Sequence, residues 1–323
     1  MKSNNFFNAF PPPDFLNVPY AGLSISDTAI RCIQFSKKNN NLLISKYTEM
    51  VVPPGLVVSG LISNVTEVSN ILETIKKDLN LGYVKVSLPE EKAYLFTAKI
   101  PMVENKEVRN AVEFKMEENV PVSPSELLFD YTVTDSHSHT DHINVVVSAL
   151  PITVVDTYIE TVRGAGIEIL SLEIESQAIA RAIIDSKDSG THLIIHFNKT
   201  KVGLYVASNN VVHFTSTILD THTSAGDLST LVVEIKKLYI YWHTLKENAG
   251  DPNKKINQII VCGEDVGDEI VPYLSAHTTT PTILGNVWVN AFDINKSVPQ
   301  ISFDNSLRYA PAVGLALPSD ILL

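Results

Sequence analysis

Cysteine is almost missing: Cys32 and Cys262 are the two thiols in 323 residues. So few, so far apart in sequence, they offer neither a disulfide framework nor a metal ligand set, which fits a reducing compartment and two buried small side chains. Basic residues are outnumbered, 25 Lys and Arg against 36 Asp and Glu, for a formal net charge of −11. That balance disfavours a grip on phosphate backbones or anionic lipid, so nucleic acid is not an expected partner. Long apolar runs are missing too. The longest, near 143–155, is interrupted by Ser148 and Pro151, and no basic n-region opens the chain, so neither membrane insertion nor a signal peptide is expected. No Walker-type phosphate loop and no nucleophile elbow occurs. Hydrophobic residues still make up 45% of the chain, enough for two domains with cores of their own.

What is present is a repeat. Residues 18–50 read as a three-stranded meander: 20–25 and 29–36 are β-rich runs split by Ser26 and Asp27, and 37–40 turn the chain into 42–49. The pattern returns at 191–217, where 192–197, 201–207 and 211–217 are split by Asn198-Lys199 and by 208–210. Each meander leads on to helical pattern, which marks an internal duplication at domain scale.

In chain order, a crossover punctuated by Pro53, Pro54 and Gly55 reaches an amphipathic helix with Val68, Ile71, Leu72, Ile75 and Leu79 on one stripe. Asn64 and Glu67 supply its cap and Gly82 its stop. Residues 83–88 return as a parallel strand. From 89 to 166 the pattern becomes strand, helix, strand, strand, helix, an α+β subdomain inserted into the first half, which 167–189 resumes. After the second meander, Leu231, Ile235, Leu238 and Trp242 mark a long helix, 257–262 a buried strand, and 308–317 a last small-residue helix. Pro272 fits a helix only in its first turn. The domain reading is an arm 1–17, a first half 18–88 with 167–189, an insertion 89–166 and a second half 190–323. Phe6, Phe7 and Phe10, ahead of three prolines, read as a packing arm or tail rather than a membrane helix.

Several runs carry a resemblance to a family. PDFLNVPYAGLSISDTAIRCIQFS, KVSLPEEKAYLFTAKIP, VRNAVEFKMEENVPVSPSELLFDY, YIETVRGAGIEILSLEIESQAIARAI, VVEIKKLYIYWHT and YAPAVGLAL resemble the type IV pilus assembly protein PilM family, in that family's order and over nearly the whole chain. The resemblance implies an α/β, actin-like fold related to FtsA: duplicated ribonuclease H-like halves with an inserted α+β subdomain in the first. It further implies a cytoplasmic protein, peripheral to the inner membrane. Such a protein binds the N-terminal tail of PilN in a groove between the first core subdomain and the inserted one, and through PilN reaches PilO and the pilus motor ATPases. Self-association is a further partner class. Strand pairing or apolar pockets would hold an extended tail, with 89–101 and 104–121 lining the groove.

The resemblance also sets where nucleotide would sit. Actin-like proteins cradle ATP and Mg between two hairpin turns, each with a glycine for close approach and an aspartate for the Mg shell. Here the family's Asp-Ile-Gly reads Ser24-Ile25-Ser26, followed by Asp27, Thr28 and Arg31, and the second turn reads His196-Phe197-Asn198. Both carboxylates and both glycines are gone. Asp27 is a shifted carboxylate that lies in the turn rather than on the strand. Glu234 and Lys237 stand where the family's nucleoside-contacting helix would, Gly263 in the adenine-side turn and Gly314 in the final small-residue turn. The expectation is a vestigial cleft: no cofactor, no catalytic residue and no hydrolysis, with ATP and Mg as the alternative ligand.

Other patterns have blander readings. His137, His139 and His142 have a His-x-His spacing able to chelate Zn, but they fall in a polar hairpin connection, and no metal site is expected. Residues 221–224 and 278–280 are hydroxyl-rich without a catalytic neighbour. Three rivals remain. An active ATPase or sugar-kinase-like enzyme needs carboxylates at the phosphate turns, an FtsA-like filament protein needs a C-terminal amphipathic helix, and a GspL-like secretion protein continues into a transmembrane helix. The adaptor reading is expected to outlast each.

Overall fold

Short alternating runs closed by polar turns are sufficient for a meander, and the chain forms one twice. This computed structural model describes residues 18–38, 41–135, 142–219, 228–245, 248, 250–292 and 298–318. The arm 1–17, His137 and His139, and 221–224 lie outside the described residues. Strands β1 (Tyr20–Ile25), β2 (Ala29–Lys38) and β3 (Asn41–Val51) form the first antiparallel meander. A ribbon of β4 (Val57–Val58) and β5 (Leu61–Ile62) precedes helix α1 (Val65–Leu79). The Asn64 side chain caps α1 by accepting from the Glu67 amide at 3.1 Å. Its stop is Asn80, in the left-handed region at φ 47°, not Gly82 two residues later. Strand β6 (Tyr83–Leu88) then runs parallel to β1.

Strands β7 (Tyr94–Pro101), β8 (Leu127–Asp135) and β9 (His142–Pro151) make a separate sheet in the order β7-β9-β8, with helix α2 (Asn105–Asn119) on one face. Val108, Val112 and Met116 of α2 meet Ala98, Ile100, Ile143, Val145 and Val147 there. Parallel strands need a crossover, and α3 (Ile152–Gly164) supplies it between β6 and β10 (Glu168–Ile174). Its Val154, Val155, Tyr158 and Val162 are buried in the core of the first sheet. The sequence reading grouped this helix with the insertion; by packing it goes with the first half.

Helix α4 (Glu175–Ile183) leads to β11 (Thr191–Asn198), β12 (Lys201–Ser208) and β13 (Val211–Leu219), the second meander, and then to α5 (Leu228–Thr244). Strand β14 (Ile256–Gly263), helix α6 (Ile270–His277) and strand β15 (Thr282–Leu284) follow, and Pro272 sits in the first turn of α6 as its geometry requires. The last described helix is α7 (Ala310–Ala316).

The sheets run β10-β6-β1-β2-β3 and β13-β12-β11-β14-β15. Read from opposite ends these are one topology, a central strand with an antiparallel meander on one side and two parallel strands on the other. The halves also trade closing helices. Gln177 of α4 binds the second sheet, donating to Asn210 O and accepting from the Val212 amide. Helix α7, read with the second half, packs on β1: a Cβ at Gly22 would lie 1.9 Å from Ala312 O. One core cluster joins Ile33 of the first sheet, Ile179 of α4, Ile194 and Ile260 of the second sheet, Trp288, and Val313 of α7. No described helix is long and apolar enough to cross a membrane.

Candidate functional site

The two first hairpins, β1–β2 and β11–β12, frame the cleft where phosphates were expected. In the first turn the Ser26 hydroxyl closes its own hairpin, accepting from the Ala29 amide at 3.1 Å and donating to Ala29 O at 2.9 Å. Asp27 is not a free carboxylate. Its two oxygens accept from the Ser59 and Gly60 amides at 2.9 Å each, and so hold a β4–β5 turn whose two residues have positive φ, 47° and 74°. Ser24 is buried opposite Arg31 in the strand register.

Arg31 is buried and donates from Nε to Glu49 Oε2 at 3.0 Å. Its Nη2 lies 2.9 Å from Glu264 Oε1, an ion-pair contact whose angles are not those of a hydrogen bond. Thr28 Oγ1 donates to the same Glu264 oxygen at 3.4 Å. Glu264 is anchored in turn, its amide donating to Phe197 O at 2.7 Å.

In the second turn, burial drives the His196 pKa down to about 3, Lys201 adding to the effect, so the imidazole is neutral. Asn198 Nδ2 is 3.5 Å from its Nδ1. Lys201 donates from Nζ to both oxygens of Glu91, at 2.7 and 2.8 Å, both side chains being buried. Burial opposes the Lys201 charge, but Glu175 and Glu91 hold its pKa above the ordinary lysine value. Glu175, buried at the start of α4, has its pKa raised by burial, with Lys201 and Arg31 pulling it back. Its neighbour in space Glu90 accepts from the Ser176 amide at 3.0 Å, and burial pushes its pKa up to about 7.

The remaining expected contacts fall elsewhere. Lys237 and Glu234 pair with each other at 2.7 Å on the outer face of α5. Gly263, at φ 112°, lets β14 approach β11, since a Cβ there would sit 2.0 Å from Phe197 O. Gly314 is a helix-crossing glycine, its Cβ position 1.7 Å from Ala178 O. The structure thus brings together Ser24, Thr28, Arg31, His196 and Asn198, and adds Glu91, Glu175, Lys201 and Glu264, which the sequence reading did not name. A charged residue opening an otherwise apolar strand is the one available signal, for Lys201; Glu91, 110 residues from its partner, carries none. Among the described residues no group of His, Cys, Asp and Glu is arranged to hold a metal.

A second feature is a cavity of about 290 Å³ between the inserted sheet, the first half and the start of β13, where Val211 and Val212 line it. Strand alternation builds it: Ile143, Val145 and Val147 face α2, so Val146, Ser148 and Leu150 face the cavity. Leu95, Leu128 and Thr132 complete the sheet side, and Leu172, Glu173, Ile174 and Gln177 the other. Both flanking strands, β8 and β10, are sheet edges. Residues 104–121, expected to line a groove, do not line this one, because α2 covers the opposite face of the sheet.

Comparison with known proteins matches a family model described as type IV pilus assembly protein PilM to residues 22–220. Of solved structures, the PilM-PilN type IV pilus biogenesis complex superposes with a TM-score of 0.76 at 17% identity, over 95% of this chain and 99% of that one. The cytoplasmic domain of EpsL, an inner membrane component of the type II secretion system of Vibrio cholerae, gives 0.50 at 9% identity over 76% and 82%. Ethanolamine utilization protein EutJ from Carboxydothermus hydrogenoformans gives 0.50 at 13% over 95% and 90%. No curated protein matches. The fold is actin-like, as expected, with mixed α/β halves in duplicate.

Proposed function

This chain belongs to the type IV pilus assembly protein PilM family, and from that premise we propose that it is a cytoplasmic adaptor of the pilus assembly platform. It holds the N-terminal tail of a PilN-like membrane protein, and through it meets PilO and the motor ATPases. The observation that supports the reading is the cavity between β8, β9 and β10, apolar at Leu95, Leu128, Val146 and Leu172 and flanked by two strands that are sheet edges among the described residues. An extended tail can add to such an edge through its backbone while alternate side chains enter the cavity. The solved relative pairs a PilM with a PilN. Tethering through that tail would keep the protein at the inner membrane.

The adaptor is read as non-hydrolysing and without nucleotide. Ser24 and His196 stand where carboxylates would face Mg, and Asp27 is engaged by two backbone amides. Calorimetric titration with a synthetic tail peptide of the PilN-like partner tests the adaptor function. Binding in the wild type that weakens at least roughly tenfold in Ser148→Tyr, which fills the cavity, supports it. A peptide that binds both proteins alike, or neither, overturns it.

A further inference from the structure

Two buried ion pairs cross the cleft in opposite directions. Arg31, on β2 of the first sheet, meets Glu264, which follows β14 of the second. Lys201, on β12 of the second sheet, meets Glu91, which follows β6 of the first. All four side chains are 8% exposed or less. Glu264 touches both hairpins, by its amide to Phe197 O and by its carboxylate to Thr28 and Arg31. Glu175 lies within the field of both cations, which places Arg31 and Lys201 around one locus.

We propose that Glu264 and Glu91 are built-in anions of the cleft. Each carboxylate, carried by one half, neutralises the cation of the other, so the chain latches its own halves together and shuts an anion site whose cations are Arg31 and Lys201. The physical ground is that a buried charge must be paired. Parting the halves leaves Lys201, Glu91 and Glu264 without these partners, Arg31 alone keeping Glu49 of its own sheet, and an entering di- or triphosphate finds its cations taken and Glu91, Glu175 and Glu264 repelling it. The latch rests on the nucleotide-free reading above and explains it with more than missing aspartates: the site is filled, not merely stripped.

The test uses the whole chain, with inorganic pyrophosphate and Mg-ATP titrated separately by calorimetry into wild type and Glu91→Gln/Glu264→Gln, which removes two charges and little volume. The latch predicts no heat from either ligand in the wild type. It predicts a lowered melting temperature in the double variant, pyrophosphate binding at least roughly tenfold tighter than in the wild type, and loss of that binding when Lys201→Met is added. A double variant with native far-UV circular dichroism that melts like the wild type and ignores pyrophosphate overturns the latch and leaves the nucleotide-free reading standing. Mg-ATP binding to the wild type overturns both. Should the double variant not fold, Glu91→Gln alone carries the same expectations on the Lys201 side.

Discussion

At the scale of single residues, Glu91 and Lys201 form a pair with both partners buried, where losing one partner costs far more than losing both. Glu91→Ala is expected to lower stability by about 3–5 kcal/mol, and Glu91→Leu with Lys201→Met to come within about 1 kcal/mol of wild type, as urea unfolding would show. Equal losses in the two would mean the pair is hydrated after all. Two buried groups set the pH dependence with opposite signs. Glu90 has a folded pKa of about 7 against an ordinary 4.5, so the folded state keeps a proton the unfolded chain releases, and stability falls as pH rises from about 4.5 through 7. His196, at about 3 against 6.5, binds its proton only when unfolded, so its stability is complete above about 6.5 and is lost as pH falls toward 3. The melting-temperature advantage of Glu90→Gln over wild type should therefore widen between about pH 5 and pH 8. A constant difference would show that Glu90 does not titrate there. His196 was legible as a departure from a pattern, but its neutrality comes from burial that no local sequence records.

Among the elements, the crossing of α4 and α7 depends on the absence of a side chain at Gly314, where a Cβ would lie 1.7 Å from Ala178 O. Neither backbone can yield cheaply, so Gly314→Ala is expected to destabilise by about 1–3 kcal/mol or more, read as a lowered midpoint in urea. The small-residue run Ala310, Ala312, Gly314 and Ala316 was read as a helix with Gly314 at the nucleotide cleft; that it crosses α4 was not in the run. Helix α2 teaches the same. Its stripe of Val108, Val112 and Met116 was plain from spacing, but the face of the sheet it covers followed from the alternation of β9 and from the rest of the fold. Helix α3 looked like the end of the insertion because it follows β9 directly, whereas the need to carry β6 across to a parallel β10 assigns it to the first half.

Across the whole molecule, the halves share a core that contains Trp288, while Trp242 lies in the core behind the second sheet. Unfolding is accordingly expected as one transition in which tryptophan fluorescence and far-UV circular dichroism share a midpoint; resolved midpoints would show that the halves melt apart. Burial pushes the Cys32 thiol up to about 12, and Cys262 is buried as well, so both thiols should label only as the fold opens. The duplicated meanders, the strand-helix-strand pattern between them and the helices with clear stripes were legible in the chain alone. These are local patterns of period and composition that a chain carries wherever it goes. It took the folded arrangement to show that Asp27 serves a turn 32 residues away, that Glu91 and Glu264 meet the cations of the opposite half, and that a cavity opens behind β9. Pairing of buried charges and the filling of space depend on distance through the fold, and separation along the chain does not encode it.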